Sequence, residues 1–218
     1  MELVNKKKVM MIAGCAIAAI LVVFLGFEII TQKMAVSDGV DYLADRKYDK
    51  AYSSFRKAEK KHTILTSKKN IRYYEGECLI YLGRYEDAAE VYGEIADQHK
   101  EARAYALEGF AFQQNGDQKK AEKSYKEAIN IDKKDGIGYY YLYGYYIERE
   151  QYDQALEILE EAQDVPVTSM EQEIAYAKIV VFEKRLEYDK ALDAAKTYCE
   201  AYPDDKNGTR EKEFLETR

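Results

Sequence analysis

The chain has 218 residues, 33 basic and 40 acidic for a net charge of −7, with 47% apolar residues, 21 tyrosines, no tryptophan and only 2 prolines. That length allows one or two domains, and the composition excludes collagen-like, proline-rich and aromatic-poor disordered chains. An acidic balance also disfavours nucleic-acid binding, which needs a basic face to displace counterions from phosphates.

The first predicted element is a membrane helix. Val9 to Phe27 are 19 consecutive nonpolar residues, and Ile29-Ile30 extend the run past Glu28. At about 1.5 Å per residue such a helix spans roughly the hydrocarbon core of a bilayer. Lys6-Lys7-Lys8 precede it and only Lys33 follows closely, so the positive-inside bias puts the amino-terminal tail in the cytoplasm and the rest outside. Two processing alternatives remain beside an uncleaved anchor. Ala16-Ile17-Ala18 has the form of a signal-peptidase site but is followed by strongly apolar sequence, and Ile12-Ala13-Gly14-Cys15 resembles a lipoprotein box with a short apolar lead.

Beyond the anchor the chain repeats. Tyr48-Asp49-Lys50-Ala51, Tyr85-Glu86-Asp87-Ala88, Tyr152-Asp153-Gln154-Ala155 and Tyr188-Asp189-Lys190-Ala191 share one signature, with a degenerate copy at Gln118-Lys119-Lys120-Ala121. The alanines step by 37, 33, 34 and 36 residues. Four positions on stand Phe55, Tyr92, Tyr125, Leu159 and Ala195, and three further Ala58, Ile95, Ala128, Ala162 and Tyr198. That spacing is one face of a helix. Twelve residues before the alanine come Gly39, Gly76 and Gly109, with Tyr42, Leu79 and Phe112 three later, while Gly83 and Gly116 supply turns. Each unit is therefore a helical hairpin whose helices approach through small residues.

This pattern resembles the tetratricopeptide repeat, a 34-residue helix–turn–helix unit, in a membrane-anchored bacterial member. The expected fold is all-α: a cytoplasmic tail at 1–8, a transmembrane helix at 9–31, and an α-solenoid of about five repeats over 32–205. The units fall at about 32–65, 69–101, 102–135, 136–169 and 172–205, with a charged cap or tail at 206–218. Tyr143 and Ile179 stand where glycine is expected in the fourth and fifth units, with Gly144 one residue late, which predicts shifted or looser first helices there. Thr168-x-x-Glu171 reads as a capping box, and Thr209 to Glu216 as a frayed capping helix.

Nothing in the sequence points to catalysis. No HExxH, GxSxG, GxxxxGK[ST] or GxGxxG motif is present. Cys15, Cys78 and Cys199 lack the paired spacing of a zinc site or disulfide scaffold, and the carboxylates, such as Glu157, Glu160 and Glu161, are spread along helix surfaces. His62 and His99 occupy matching places near the ends of second helices, where the dipole favours a cation. No cofactor, metal or small-molecule substrate is expected.

The resemblance implies that first helices line a concave groove holding a protein or peptide. Its groove positions fall on Tyr73, Glu77 and Tyr81 in the second unit, Arg103, Ala106, Phe110 and Gln113 in the third, and Tyr140, Gly144 and Ile147 in the fourth. The lysine and asparagine clamp that some members use to grip a terminal carboxylate has no counterpart here. Tyr139 to Tyr146 contains six tyrosines in eight residues. These must divide between core and surface, with Tyr140 expected in the groove.

Charge is uneven. Residues 45–72 carry +7 and residues 73–218 carry −14. Lys57, Lys60, Lys61, Lys68 and Lys69 form a membrane-proximal basic patch, read either as a solvated surface or as a contact with anionic lipid or wall polymer. The leading expectation is a membrane-tethered extracytoplasmic adaptor. A self-associating scaffold that braces an envelope complex is the alternative, and a tyrosine-based wall-polymer or glycan binder is a third reading.

Overall fold

A computed structural model of the chain describes residues 2–61 and 67–218, and side chains at 10, 11, 14–61 and 67–218. The described residues form helices and no strands: α1 (Glu2–Ala44), α2 (Tyr48–Glu59), α3 (Lys68–Tyr81), α4 (Tyr85–His99), α5 (Ala102–Gln114), α6 (Gln118–Ile131), α7 (Ile137–Glu148), α8 (Tyr152–Asp164), α9 (Glu171–Lys184), α10 (Tyr188–Ala201) and α11 (Lys206–Leu215). They divide into two compact units, Met1–Arg84 and Tyr85–Arg218.

The signature residues form the core. Ala51, Ala88, Ala121, Ala155 and Ala191 are each fully buried, as are Phe55, Tyr125, Leu159 and Ala195 one turn later. Glycine on the first helix is required where the second helix presents a ring. A Cβ on Gly39 would lie 2.7 Å from the Phe55 ring, and one on Gly109 would lie 2.6 Å from Tyr125. Such contacts are too short for any side chain to occupy without backbone displacement.

The fifth unit solves the same problem in reverse. Ile179 is fully buried and packs in one cluster with Ala195, so the bulky and small partners have exchanged helices. Its first helix is therefore neither loose nor solvent-facing, contrary to the expectation from the missing glycine. In the fourth unit Tyr143 packs half-buried against the core while Leu159 replaces the aromatic residue opposite. Gly144 has no atom within 4 Å of a Cβ built on it, so it makes no close helix approach.

Every turn between a signature helix and the helix before it is built alike. Lys47, Arg84, Asp117, Gln151 and Glu187 donate their backbone N–H to the carbonyls of Tyr42, Leu79, Phe112, Tyr146 and Phe182, at 2.8, 2.9, 2.9, 2.9 and 2.9 Å. This six-to-one bond is the Schellman closure and requires a left-handed residue just before the donor. Gly83 and Gly116 meet that requirement at φ +70 and +84, but Arg46, Glu150 and Leu186 adopt φ of 58, 57 and 60. A side chain in this region clashes with its own backbone, so three turns carry strain that two do not.

In the first unit α1 runs without interruption from the apolar stretch into the first hairpin. Ile17, Ile20 to Leu25 and Phe27 are exposed, and the helix is long and apolar enough to cross a membrane. Just beyond Phe27 the helix is bolted to α2. The buried Gln32 amide donates to the Ala58 carbonyl at 3.0 Å, and Lys61 pairs with Glu28 at 3.0 Å. Helix α3 returns antiparallel to α2, with Arg72 facing Glu59 at 3.9 Å and Glu75 facing Arg56 at 3.6 Å.

Two local expectations are corrected in the second unit. Thr168 does not cap α9. Its N–H and hydroxyl both donate to the Lys134 carbonyl, Ser169 bonds Asp135, and α9 starts after Met170 in a left-handed conformation. The linker is stapled to the preceding interhelix loop instead of folding onto its own helix. The carboxy-terminal helix is seated and not frayed. Asp205 caps it by accepting from Asn207 N–H at 2.9 Å, Gly208 packs on the Tyr198 ring, and Leu215 is buried.

Glu150→Gly and Leu186→Gly should each stabilise the protein by roughly 1 kcal/mol, because glycine removes the left-handed penalty at an exposed turn. Gly109→Val should destabilise it by about 2 kcal/mol through collision with Tyr125. Denaturant unfolding of the three variants checks both signs.

Candidate functional site: the first-helix surface

The sequence-derived groove positions separate into those that reach solvent and those that do not. In the compact unit Met1–Arg84, Tyr73 and Glu77 of the second repeat are half-buried, while Tyr81 is exposed and stacks on Tyr48 with ring centroids 4.6 Å apart. In the compact unit Tyr85–Arg218, Arg103 of the third repeat is exposed and Phe110 half-buried, edge-on to Tyr141 at 6.1 Å. Ala106 is fully buried and offers no surface. Gln113 is already committed, accepting from the Tyr125 hydroxyl at 2.7 Å and donating to Glu148 at 2.6 Å. Ile147 packs against the core, and Gly144 is half-buried beside open space.

The tyrosine run divides by helical phase. Tyr139, Tyr145 and Tyr146 are buried with Leu142, and their hydroxyls donate to Glu161, the Gln118 carbonyl and Glu122 at 3.4, 3.3 and 3.0 Å. A buried phenol needs such an acceptor. Tyr140 alone of the six is exposed, at 36%. Tyr141 and Tyr143 flank it with centroids 6.3 and 6.2 Å away.

Tyr140 and Tyr143 form one wall of a cavity of about 690 Å³, which is completed by Gln172, Glu173, Tyr176 and Ala177 of α9, by Tyr198, and by Asp205, Asn207, Arg210 and Glu211 at α11. Tyr176 was not among the groove positions read from sequence, although a signal for it existed. It lies 36 residues after Tyr140, the same offset that separates Ala155 from Ala191, so it is the equivalent residue one repeat later. The wall from α11 had no such signal, because the cap lies outside the repeat. A hydrogen-bonded chain fixes this wall: Gln172 donates to the Tyr198 hydroxyl at 2.9 Å, which donates to Asp205 at 2.5 Å. A second cavity of about 780 Å³ lies among the α8–α9 linker, α9 and α10, and is lined largely by apolar residues such as Val167, Ile174, Phe182 and Ala194.

The unit Met1–Arg84 holds the basic patch. Because α2 ends beside Glu28 and α3 begins antiparallel to it, Lys57, Lys60, Lys61, Lys68 and Lys69 collect at the end of the unit from which the apolar part of α1 emerges. Lys57, Lys60 and Lys68 are exposed, and Lys61 and Lys69 half-buried. His99 is exposed in the last turn of α4, whereas His62 lies outside the described residues. Among the described residues no group of His, Cys, Asp and Glu side chains could hold a metal ion.

The perturbed acid of the first unit serves structure. Glu75 is fully buried on α3 with Oε1 unsatisfied, and burial, reinforced by Glu59, pushes its carboxyl up to about 7 against the pull of Arg56 and Arg72. Its neighbours are the guanidinium groups of Arg56 on α2 and Arg72 on its own helix, the setting of a structural ion-pair network.

A model of the tetratricopeptide repeat matches residues 39–99, 79–136 and 145–206. The chain belongs to the tetratricopeptide repeat family. Solved structures share the fold at low identity. A tetratricopeptide repeat protein from Parabacteroides merdae superposes with a TM-score of 0.60 at 14% identity, over 85% of this chain and 72% of that one. A thermophilic tetratricopeptide repeat protein of Thermus thermophilus gives 0.59 at 17%, over 86% and 100%. YrrB, described as a repeat protein with an unusual peptide-binding site, gives 0.53 at 13%, over 82% and 90%. No curated protein matches the chain. Tetratricopeptide repeat proteins bind or organise other proteins, and that coarse role follows from family membership.

Because the folded pKa of Glu75 lies above its unfolded value, its contribution to stability is complete below about pH 4.5 and is lost as pH rises through about 7. Glu75→Gln mimics the protonated form. The drop in melting temperature between pH 5 and pH 8 should therefore be smaller in this variant than in the wild type, as read by circular dichroism across that range.

Proposed function

We propose that this tetratricopeptide repeat protein is a membrane-tethered, extracytoplasmic adaptor that holds a protein or peptide partner on its first-helix surface without turnover. The observation that carries the reading is the set of exposed Tyr140 and half-buried Tyr143 and Tyr176 lining an open cavity of about 690 Å³. Tyrosine gives large contact area at small rotamer cost and keeps a hydroxyl for the partner, which is why it is enriched at interfaces. Exposed Arg103 and half-buried Phe110 are groove positions of the preceding repeat. The description of YrrB as a peptide-binding repeat protein supports this use of the fold.

Tethering is supported by α1. Its exposed apolar stretch follows Lys6-Lys7-Lys8, a flank that orients the tail towards the cytoplasm and the repeats outside. The five lysines gathered at the exit of that stretch are then at headgroup level, where each basic side chain near an anionic surface contributes about 1 kcal/mol.

A photocrosslinker at Tyr140 of the full chain in native membranes should trap a discrete protein, and Phe110→Ala with Tyr176→Ala should reduce the yield about tenfold. No protein adduct at Tyr140 would remove the adaptor reading. Separately, hydrogen exchange of the full chain in nanodiscs should slow across residues 57–69 when phosphatidylglycerol replaces phosphatidylcholine. Changing the five lysines to glutamine should abolish that difference.

A further inference from the structure

The cavity between α7, α9 and α11 has walls of two chemistries. Its aromatic wall is Tyr140, Tyr143 and Tyr176, and its polar rim holds Glu173, Asp205 and Glu211 against a single cation, Arg210. Two of these four charges are already engaged. Asp205 accepts from Tyr198 and caps α11, and Arg210 donates to Asn207 of its own helix at 2.8 Å. Among the described residues neither Glu173 nor Glu211 forms a salt bridge, and Glu211 is hydrogen-bonded to Tyr176 and Glu183. The rim thus gathers three carboxylates around one guanidinium at the mouth of an aromatic cavity.

Glu211 also faces a second acid across the α9–α11 interface. Burial and the adjoining Glu211 push the Glu183 carboxyl up to about 7, while Arg218 and Lys184 offset this only in part. A positive group entering beside Glu211 would relieve the repulsion. Tyrosine faces attract ammonium and guanidinium groups within about 6 Å of the ring. The unit Tyr85–Arg218 as a whole has 31 acidic and 18 basic residues, a field that draws cations towards it.

We infer that the pocket of Tyr140, Tyr143 and Tyr176, rimmed by Glu173 and Glu211, clasps the lysine or arginine side chains of a basic protein segment. The inference rests on the groove-binding reading above and specifies the chemistry of its partner. The cavity is far larger than one side chain needs, which suits successive residues of an extended or helical segment. The cation enters over the rings with its charge towards the carboxylates of Glu173 and Glu211.

The test uses the full chain in phosphatidylcholine nanodiscs, with fluorescence anisotropy of a labelled eight-residue peptide of alternating lysine and alanine at about 150 mM salt, where long-range surface attraction is screened. The lysine peptide should bind and its glutamate–alanine counterpart should not. The isosteric pair Glu173→Gln with Glu211→Gln should weaken binding about tenfold, and Tyr140→Leu, which keeps bulk but loses the ring face, about fivefold. Glu157→Gln with Glu160→Gln removes the same charge from exposed positions on α8 and should leave affinity unchanged. Equal losses from the two glutamine pairs would mean diffuse attraction and overturn the inference, as would no binding of the lysine peptide. Spermidine competing at the peptide's own affinity would make the ligand a small polyamine and overturn the assignment to a protein segment. If the Tyr140 crosslink in membranes persists while any of these outcomes occurs, the basic-ligand inference fails and the adaptor reading stands.

Discussion

The structure depends on one steric requirement, that paired helices come close enough for a ring on one to lie against bare backbone of the other. Gly39 against Phe55 and Gly109 against Tyr125 are the sharpest instances, and the fully buried signature alanines meet the same need from the second helix. Interiors tolerate little excess volume, so the requirement propagates along the chain. Where Ile179 occupies the glycine position, the facing residue has shrunk to Ala195. In these units one partner of the facing pair is small and the other bulky, and either helix can supply the small one, whereas the fourth unit pairs Tyr143 with Leu159 and leaves Tyr143 half-buried.

That packing decides which residues are left for binding. With the alanine faces turned inward, first helices show solvent only a narrow strip, and Tyr140 falls on it while Tyr139, Tyr145 and Tyr146 do not. The strip is deepened by α11, which is held by Asp205 and seated on Gly208, so a helix that closes the core also supplies the pocket's charged wall. Closure of the core and construction of the site are thus one structural event at this end of the protein.

The repeat, the hairpins and the apolar first helix were legible because each rests on local periodicity: the alanine steps, the i, i+4, i+7 face and the unbroken run from Val9 to Phe27. The candidate groove was legible only in part. Tyr140 and Phe110 could be placed by repeat position, yet Ala106, the equivalent of Tyr140 one repeat earlier, is fully buried, because register along a helix does not report how closely the next hairpin leans over it. The engagement of Gln113 by Tyr125 and Glu148, 12 and 35 positions away, is likewise not visible in sequence spacing. The Thr168 capping box failed for a related reason: a tertiary bond to Lys134 outcompeted a local one. Turn chemistry at Arg46, Glu150 and Leu186 was invisible, as residue type argues against the left-handed conformation that the repeated closure imposes there.

The uninterrupted course of α1 gives the first unit a mechanical property. A helix anchored to its neighbour at Glu28 and Gln32, with no proline, glycine or linker between those bonds and Ala44 other than the tightly packed Gly39, has no swivel. Torque or tilt applied to the hairpin of α1 and α2 passes into the apolar stretch as rotation of a single rod.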